Sequence, residues 1–438
     1  MSMWRAIRAE LPGLFSLSLP IVASLGASTL LGVTDSLMLA PLGPVPLAAV
    51  GLTGGVALIF FAAIYGMLAA LSVRIGAAFG AGQGRQIPYI LRNGLALGVL
   101  VGTAAAALMG GVWFALPLMG QPSDVLAAMG GYYAAMTLLL VPFSVLTVFK
   151  SACEAVERPW MGTVFAFFAV VINIPLNYAL IWGIGPFPML GLTGAGIASL
   201  LAETAAMALA WGWWRWARST KRLRLRKPLN WSEMRSTASE GAPLGALYVA
   251  ETAASAVGTV MIGTFGTVAL AANQVAASVG MLLYMVPLGI AGAVSIRIAQ
   301  AKGAGSVATL RPIAFAALGL ALAWLLTAAI AMVFLCGAIA GAITDDGDVA
   351  ALAAGFLLMF AVMQIADGVQ STILGALRGM SDTRYPAQVS LLAYWVVALP
   401  LGWGLSSWIG PVGIWAGFFV ALMAAGAALT RRFWRNTA

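Results

Sequence analysis

The chain contains no histidine. That removes histidine-ligated metal centres and any serine or cysteine nucleophile activated by histidine. It has two cysteines, Cys153 and Cys336, too few for a disulfide framework and too far apart for a CxxC redox pair. Its four lysines are Lys150, Lys221, Lys227 and Lys302; none follows a glycine, so there is no GxxxxGK phosphate-binding loop. Charge itself is scarce. Only 8% of residues are Asp, Glu, Lys or Arg, where a soluble domain has about a quarter. So few charges cannot cover a soluble surface, and so apolar a chain is not a disordered one. Uphill work by such a chain has to be driven by a gradient or by a partner.

What is present is hydrocarbon: 62% of the 438 residues are hydrophobic, with 51 Gly and 20 Pro scattered among them. Membrane helices tolerate such glycines and prolines better than soluble ones. A spanning helix needs about 20 apolar residues. Apolar runs between polar breaks predict twelve of them, the first over 14–40, the seventh over 241–262 and the last over 413–430. The first run follows Arg5 and Arg8, is too long for a signal-peptide core, and reads as a retained helix. Twelve spans leave no room for a sizeable extramembrane domain, so the fold expected is an all-α integral membrane protein.

The basic residues sort onto one side. All 23 Lys and Arg fall at the two termini or in every second connection, and the intervening connections carry Asp124, Asp345, Asp346 and Asp348 instead. This is the positive-inside pattern. It predicts a multi-pass protein of a bacterial-type cytoplasmic membrane with both termini in the cytoplasm. The net charge of +9 is then a topology signal against anionic lipid and not a nucleic-acid footprint.

The longest polar connection, 215–240, divides the helices six and six. At an offset of 223, Met38 meets Met261, Gly43 meets Gly266, Leu47-Ala48-Ala49 meets Leu270-Ala271-Ala272, Arg74 meets Arg297, and Gly80 and Gly82 meet Gly303 and Gly305. With small shifts, Pro175-Leu176 meets Pro400-Leu401, and Gly191 and Gly194 meet Gly410 and Gly413. Because six is even, the repeats are parallel. The expected organisation is an N-terminal lobe (1–214), a basic linker (215–240) and a C-terminal lobe (241–438). Two six-helix bundles of this kind form a transporter architecture.

Four acids remain at membrane depth: Asp35, Glu203, Glu251 and Asp367. A central carboxylate costs about 2.5–3.5 kcal/mol on insertion scales. No Lys or Arg is expected at their depth, so a mobile proton or cation is the natural partner. Asn173 and Asn177 lie at i, i+4 on one helix face. Their carboxamide oxygens suit an oxygen cage for H⁺ or Na⁺ with one carboxylate, and Pro175 between them frees nearby carbonyls. Asn273 and Gln274 are candidates to accompany Glu251 and Asp367. Pro20 marks an expected bend in the first helix. Tyr65, Tyr248, Tyr284 and Met285 are candidate pocket residues for flat apolar cations. The run Trp211, Trp213, Trp214 and Trp216 reads as an interfacial belt.

These residues resemble the multidrug and toxic compound extrusion (MATE) family, in its bacterial NorM-like branch. The similarity is carried by LPIVASLGASTLLGVTDSLMLAPLG around Asp35, LNYALIWG after Asn173, GLTGAGIA, YVAETAASAVGTVMIGTFGTVALAANQVA around Glu251, and QIADGVQSTILGALRGMSDTRYP around Asp367. The resemblance spans essentially the whole chain. It implies a V of two bundles that opens alternately outward and inward. The implied activity is export of cationic amphipathic drugs by a monomer, against entry of H⁺ or Na⁺ and with no other cofactor. It assigns Asp35 to the N-lobe carboxylate site with Asn173 and Asn177, Glu251 and Asp367 to the C-lobe acid pair, and Pro20 to first-helix bending; Na⁺ would sit in either set. One departure is Met363, one turn before Asp367 where relatives often carry Tyr. Met363 supplies no hydroxyl, which leaves H⁺ or mixed coupling open beside Na⁺.

Other activities are weighed against the same residues. A lipid-linked sugar or polysaccharide flippase of the wider superfamily handles anionic substrates and needs basic residues lining its cavity, and none is expected at membrane depth. An intramembrane aspartyl enzyme needs a carboxylate dyad, and Glu251 and Asp367 lie on different helices with no gating motif nearby.

Overall fold

The computed structural model describes residues 3–217 and 228–437. Arg218, Lys221, Arg222, Arg224, Arg226 and Lys227 of the basic linker lie outside the described residues. Among those described, twelve helices are long and apolar enough to cross a membrane. We label them α1 (Met3–Leu39), α2 (Pro44–Gly80), α3 (Ile87–Trp113), α4 (Ser123–Ala155), α5 (Pro159–Trp182), α6 (Gly191–Trp216), α7 (Trp231–Gly263), α8 (Thr267–Gly303), α9 (Leu310–Ile343), α10 (Gly347–Gly379), α11 (Arg384–Ile409) and α12 (Val412–Asn436).

The helices outrun the apolar runs that reveal them. α7 begins at Trp231, ten residues before the hydropathy boundary, so 231–240 is helix and not linker. The 37 residues of α1 extend roughly 55 Å at about 1.5 Å per residue, against a hydrocarbon core of about 30 Å. Hydropathy sees only the middle of each helix. The polar ends, with most of the described basic residues, continue the same backbone.

The chain divides into two units, one of residues Ala23–Gly245 and the other of Met1–Val22 with Ala246–Ala438. The boundaries fall inside α1 and α7, and Val22 and Gly245 are themselves 223 residues apart, the offset of the sequence repeat. In the first unit α4 is the central helix, packed against α2, α3, α5 and α6. In the second, its repeat-related counterpart α10 packs against α8, α9 and α12.

Each unit grips the opening segment of a half-repeat with the same chemistry. In the first unit Arg74 on α2 pairs with Glu233 (2.9 Å) and Glu240 (3.5 Å) of α7 and donates to Ser236 (3.0 Å). In the second, Arg297 on α8 pairs with Glu10 of α1 (2.7 Å). Glu10 and Glu233 are also 223 apart, so the ion pair itself is duplicated. Deeper in, a Cβ at Gly241 of α7 would overlap the Met67 carbonyl of α2, and one at Gly289 of α8 would overlap the Val22 side chain of α1. The same close crossing occurs twice, with the glycine on opposite partners.

Candidate functional site

The first unit holds Asp35 of α1, 4% exposed. Its Oδ1 accepts from Asn177 Nδ2 (2.6 Å) and its Oδ2 from the Ser199 hydroxyl of α6 (2.6 Å). Asn177 Nδ2 also donates to Asn173 Oδ1 (2.9 Å), and Asn173 Nδ2 donates to Ser199 Oγ (2.9 Å). Asn173 lies close to Asp35, and buried Tyr132 of α4 is within reach of the Asp35 charge. The i, i+4 spacing across Pro175 thus delivers both asparagines to one carboxylate. Every partner donates, which is what an acceptor-only carboxylate requires. One acceptor in the cage, Asn177 Oδ1, is buried with no partner. An oxygen without a donor beside a carboxylate is an arrangement that suits a small cation.

Glu203 lies one turn beyond Ser199 on α6 and is buried. The nearest opposing charge on it is Lys150 of α4, which also faces Glu154. The expectation that no base reaches the buried acids is therefore corrected. Lys150 belongs to α4 rather than to a connection, and a long lysine stem carries its ammonium inward from a helix end. Tyr65 is half-buried on α2.

The second unit is built differently. Glu251 of α7 and Asp367 of α10 lie close enough to repel one another, and tyrosines surround them: Tyr248, Tyr284 and Tyr394 all feel both charges. The Tyr394 hydroxyl lies beside the Glu251 carboxylate. Asp367 Oδ1 is buried without a partner. One turn earlier on α10, Gln364 Nε2 donates to the Gly280 carbonyl (2.5 Å), which turns Gln364 Oε1 away, also buried and unpartnered. Two acidic groups and two orphaned oxygens thus share few donors.

A base is buried nearby. Arg378, expected in a connection, is the penultimate residue of α10 and is buried. It donates to Ser295 Oγ (3.0 Å), the Ala291 carbonyl (3.3 Å) and the Tyr248 hydroxyl (3.5 Å). Tyr248 therefore stands between a fixed guanidinium and the acid pair. The remaining expected residues are spread around this region. Asn273 is buried and its carboxamide oxygen accepts from the Trp415 indole (2.7 Å). Gln274 is exposed, and Met285 and Met363 are buried. Pro20 sits inside an unbroken α1, two residues before that helix passes from one unit to the other.

Ser199, Tyr132, Tyr394, Gln364 and Arg378 were not legible as site residues. A serine in a membrane helix ordinarily bonds its own preceding turn, as Thr204 does to Leu200, so Ser199 had no distinguishing signal. Tyr394 lies 27 residues from Asp367 and 143 from Glu251 in the chain, and nothing but the fold brings them together. No three His, Cys, Asp or Glu converge among the described residues. The chemistry open to both sites is capture of a proton or a monovalent cation by one or two carboxylates with neutral oxygens.

Known proteins agree with this architecture. The MatE family model matches residues 20–179 and 243–403, one stretch in each half. The "Probable multidrug resistance protein NorM" of Deinococcus radiodurans is 34% identical over 98% of this chain and 96% of its own length. A protein of the same name from Bradyrhizobium diazoefficiens is 33% identical over 91% of this chain and 88% of its own. Among solved structures, a Vibrio cholerae MATE transporter in the bent form superposes with a TM-score of 0.86 at 20% identity, covering 99% of this chain and 98% of that one. A family model that covers both repeats, and full-length relatives a third identical, establish that this multi-pass membrane chain belongs to the MATE family.

Proposed function

We propose that the chain is a cation-coupled multidrug exporter, a secondary transporter and not an enzyme. It moves cationic amphipathic compounds outward by alternating access, in exchange for H⁺ or Na⁺ moving inward. It works as a monomer in a bacterial-type cytoplasmic membrane with both termini in the cytoplasm. Its two six-helix halves, α1–α6 and α7–α12, are joined by the basic connection between α6 and α7. The observation that carries this proposal is the pair of acid sites, one in each unit, each with a buried polar oxygen that has no donor. The names of the relatives, multidrug resistance proteins, support the substrate class.

Mechanistically, an organic cation and the coupling ion are both attracted to Asp35, or to Glu251 and Asp367. A coupling ion at these carboxylates removes the charge that holds the drug, and loss of that ion restores it. Mutual exclusion of this kind is sufficient for exchange, because each ligand shifts the population of states by its differential affinity. An anionic lipid substrate is disfavoured by the state of the buried base in the second unit: Arg378 is engaged by protein groups on three sides.

The test is ethidium efflux from proteoliposomes driven by a pH gradient alone or by a Na⁺ gradient alone. Efflux driven by at least one gradient is expected. Efflux indifferent to both, or tight binding of a lipid pyrophosphate with none of a lipophilic cation, overturns the proposal.

A further inference from the structure

α11 is not a regular helix. Pro400 has no N–H for the Val396 carbonyl, and its ring crowds that carbonyl. Just ahead of it, residues Ala393–Ala398 open into a π turn. Such turns insert an extra residue into a helix and occur often at functional sites. Two successive residues of this turn reach successive residues of α7. The Trp395 indole donates to the Ala250 carbonyl (3.2 Å), and the Tyr394 hydroxyl meets the Glu251 carboxylate. Neighbouring side chains on an α-helix diverge by about 100°; the widened turn lets both face α7. Tyr394 is 4% exposed and its ring is held by Phe418 of α12, with centroids 6.1 Å apart. Its ring is thus held against α12 while its hydroxyl points to α7. Met363, on α10, offers no hydroxyl to the same acid pair.

We propose that Tyr394, aimed by the π turn of α11, positions Glu251 for cation binding in the second unit. The hydroxyl donates to one carboxylate oxygen and fixes the rotamer, so that the other oxygen is presented to the incoming cation. Tyr394 is a positioning residue: it acts through Glu251 and not on the drug. The inference rests on the reading of Glu251 and Asp367 as a coupling site.

The experiment uses the full-length protein in proteoliposomes. Ethidium efflux is measured as a function of the driving gradient, with Na⁺ varied at fixed pH and pH varied without Na⁺. Tyr394→Phe keeps the ring against Phe418 and removes only the hydroxyl. The apparent KM for whichever cation drives transport is expected to rise about tenfold, equivalent to ~1.4 kcal/mol, with the maximal rate and the ethidium Kd little changed. Pro400→Ala, which allows the turn to rewind, is expected to move KM the same way. Trp395→Phe loses the other contact to α7 and is expected to behave as wild type.

An unchanged KM in Tyr394→Phe overturns the inference. So does an equal rise in Trp395→Phe, since helix tethering would then explain the effect. Glu251→Gln separates the two levels. If it leaves cation-driven efflux intact, the coupling site itself is misassigned. If it abolishes efflux while Tyr394→Phe is silent, only the role of Tyr394 fails. A Tyr394→Phe/Glu251→Gln double variant is expected to be no worse than Glu251→Gln alone.

Discussion

The two units carry one ancestral plan and two opposite solutions for a buried acid. Around Asp35 both bonded neighbours donate: the Asn177 carboxamide and the Ser199 hydroxyl reach a single carboxylate, and Asn173 braces them both. Around Glu251 and Asp367 the acids are doubled, the neighbours are phenols, and two acceptor oxygens lack donors. A carboxylate already satisfied by fixed dipoles can keep its charge without a counter-ion. A carboxylate pair with few donors cannot, because each charge raises the cost of the other in a poor solvent. The first unit thus surrounds its acid with donors, and the second leaves its acid pair with few. Repeat symmetry conserves the scaffold and not the chemistry placed on it. The proline-bearing helices α5 and α11 occupy corresponding places, yet one offers Asn173 and Asn177 and the other Tyr394.

The contrast can be broken at its strongest point. Asp367→Asn removes one of the paired acids and is expected to cut coupled ethidium efflux about a hundredfold, ~2.7 kcal/mol in rate terms, while the protein still purifies as a folded species. Full efflux with unchanged ion dependence would show that the second unit does not attract the driving cation. Asn177→Ala tests the other side. It strips a donor from buried Asp35 and should destabilise the protein by about 1.5–3 kcal/mol. A thermal unfolding curve in detergent reads this as a lowered Tm, whereas an unchanged Tm would mean that the Asn177 bond to Asp35 contributes nothing to the fold.

Smaller effects concern what the units share. Gly241→Leu and Gly289→Leu each push a side chain into the partner helix, with an expected cost of about 1–3 kcal/mol. Comparable losses of Tm would confirm that the two crossings are equivalent, and loss at only one would make the repeat asymmetric there. Smallest are Arg74→Ala and Arg297→Ala. Both ion pairs are partly exposed, with arginine side chains 21% and 28% accessible, so each should cost no more than about 1 kcal/mol and weaken further with salt. A much larger loss at Arg74 than at Arg297 would indicate that the three α7 groups around Arg74 act as a network.

Span number, the six-plus-six repeat and the placement of the acids on apolar helices were legible because each depends on composition along a line. Twenty apolar residues in a row have one low-energy solution in a bilayer. Asn173 and Asn177 were legible because helical periodicity alone places them together. Lys150 and Arg378 were misjudged, since a basic residue near a helix end looks the same in sequence whether its side chain turns outward to the interface or inward to a buried partner. The start of α7 was misjudged because polar helical residues carry no hydropathy signal.

By itself, then, the sequence determined that this chain is a twelve-span duplicated membrane protein with four acids within its apolar helices. Only the tertiary structure decided which acid is caged and which is paired. It joined Ser199 to Asp35 across 164 residues and opened a π turn that turns Tyr394 toward Glu251. It also handed the first turns of α1 and α7 to the opposite half-repeat. The physical reason is that apolar burial is local and additive along a helix, whereas a hydrogen bond between helices exists only where packing brings a donor and an acceptor within about 3 Å.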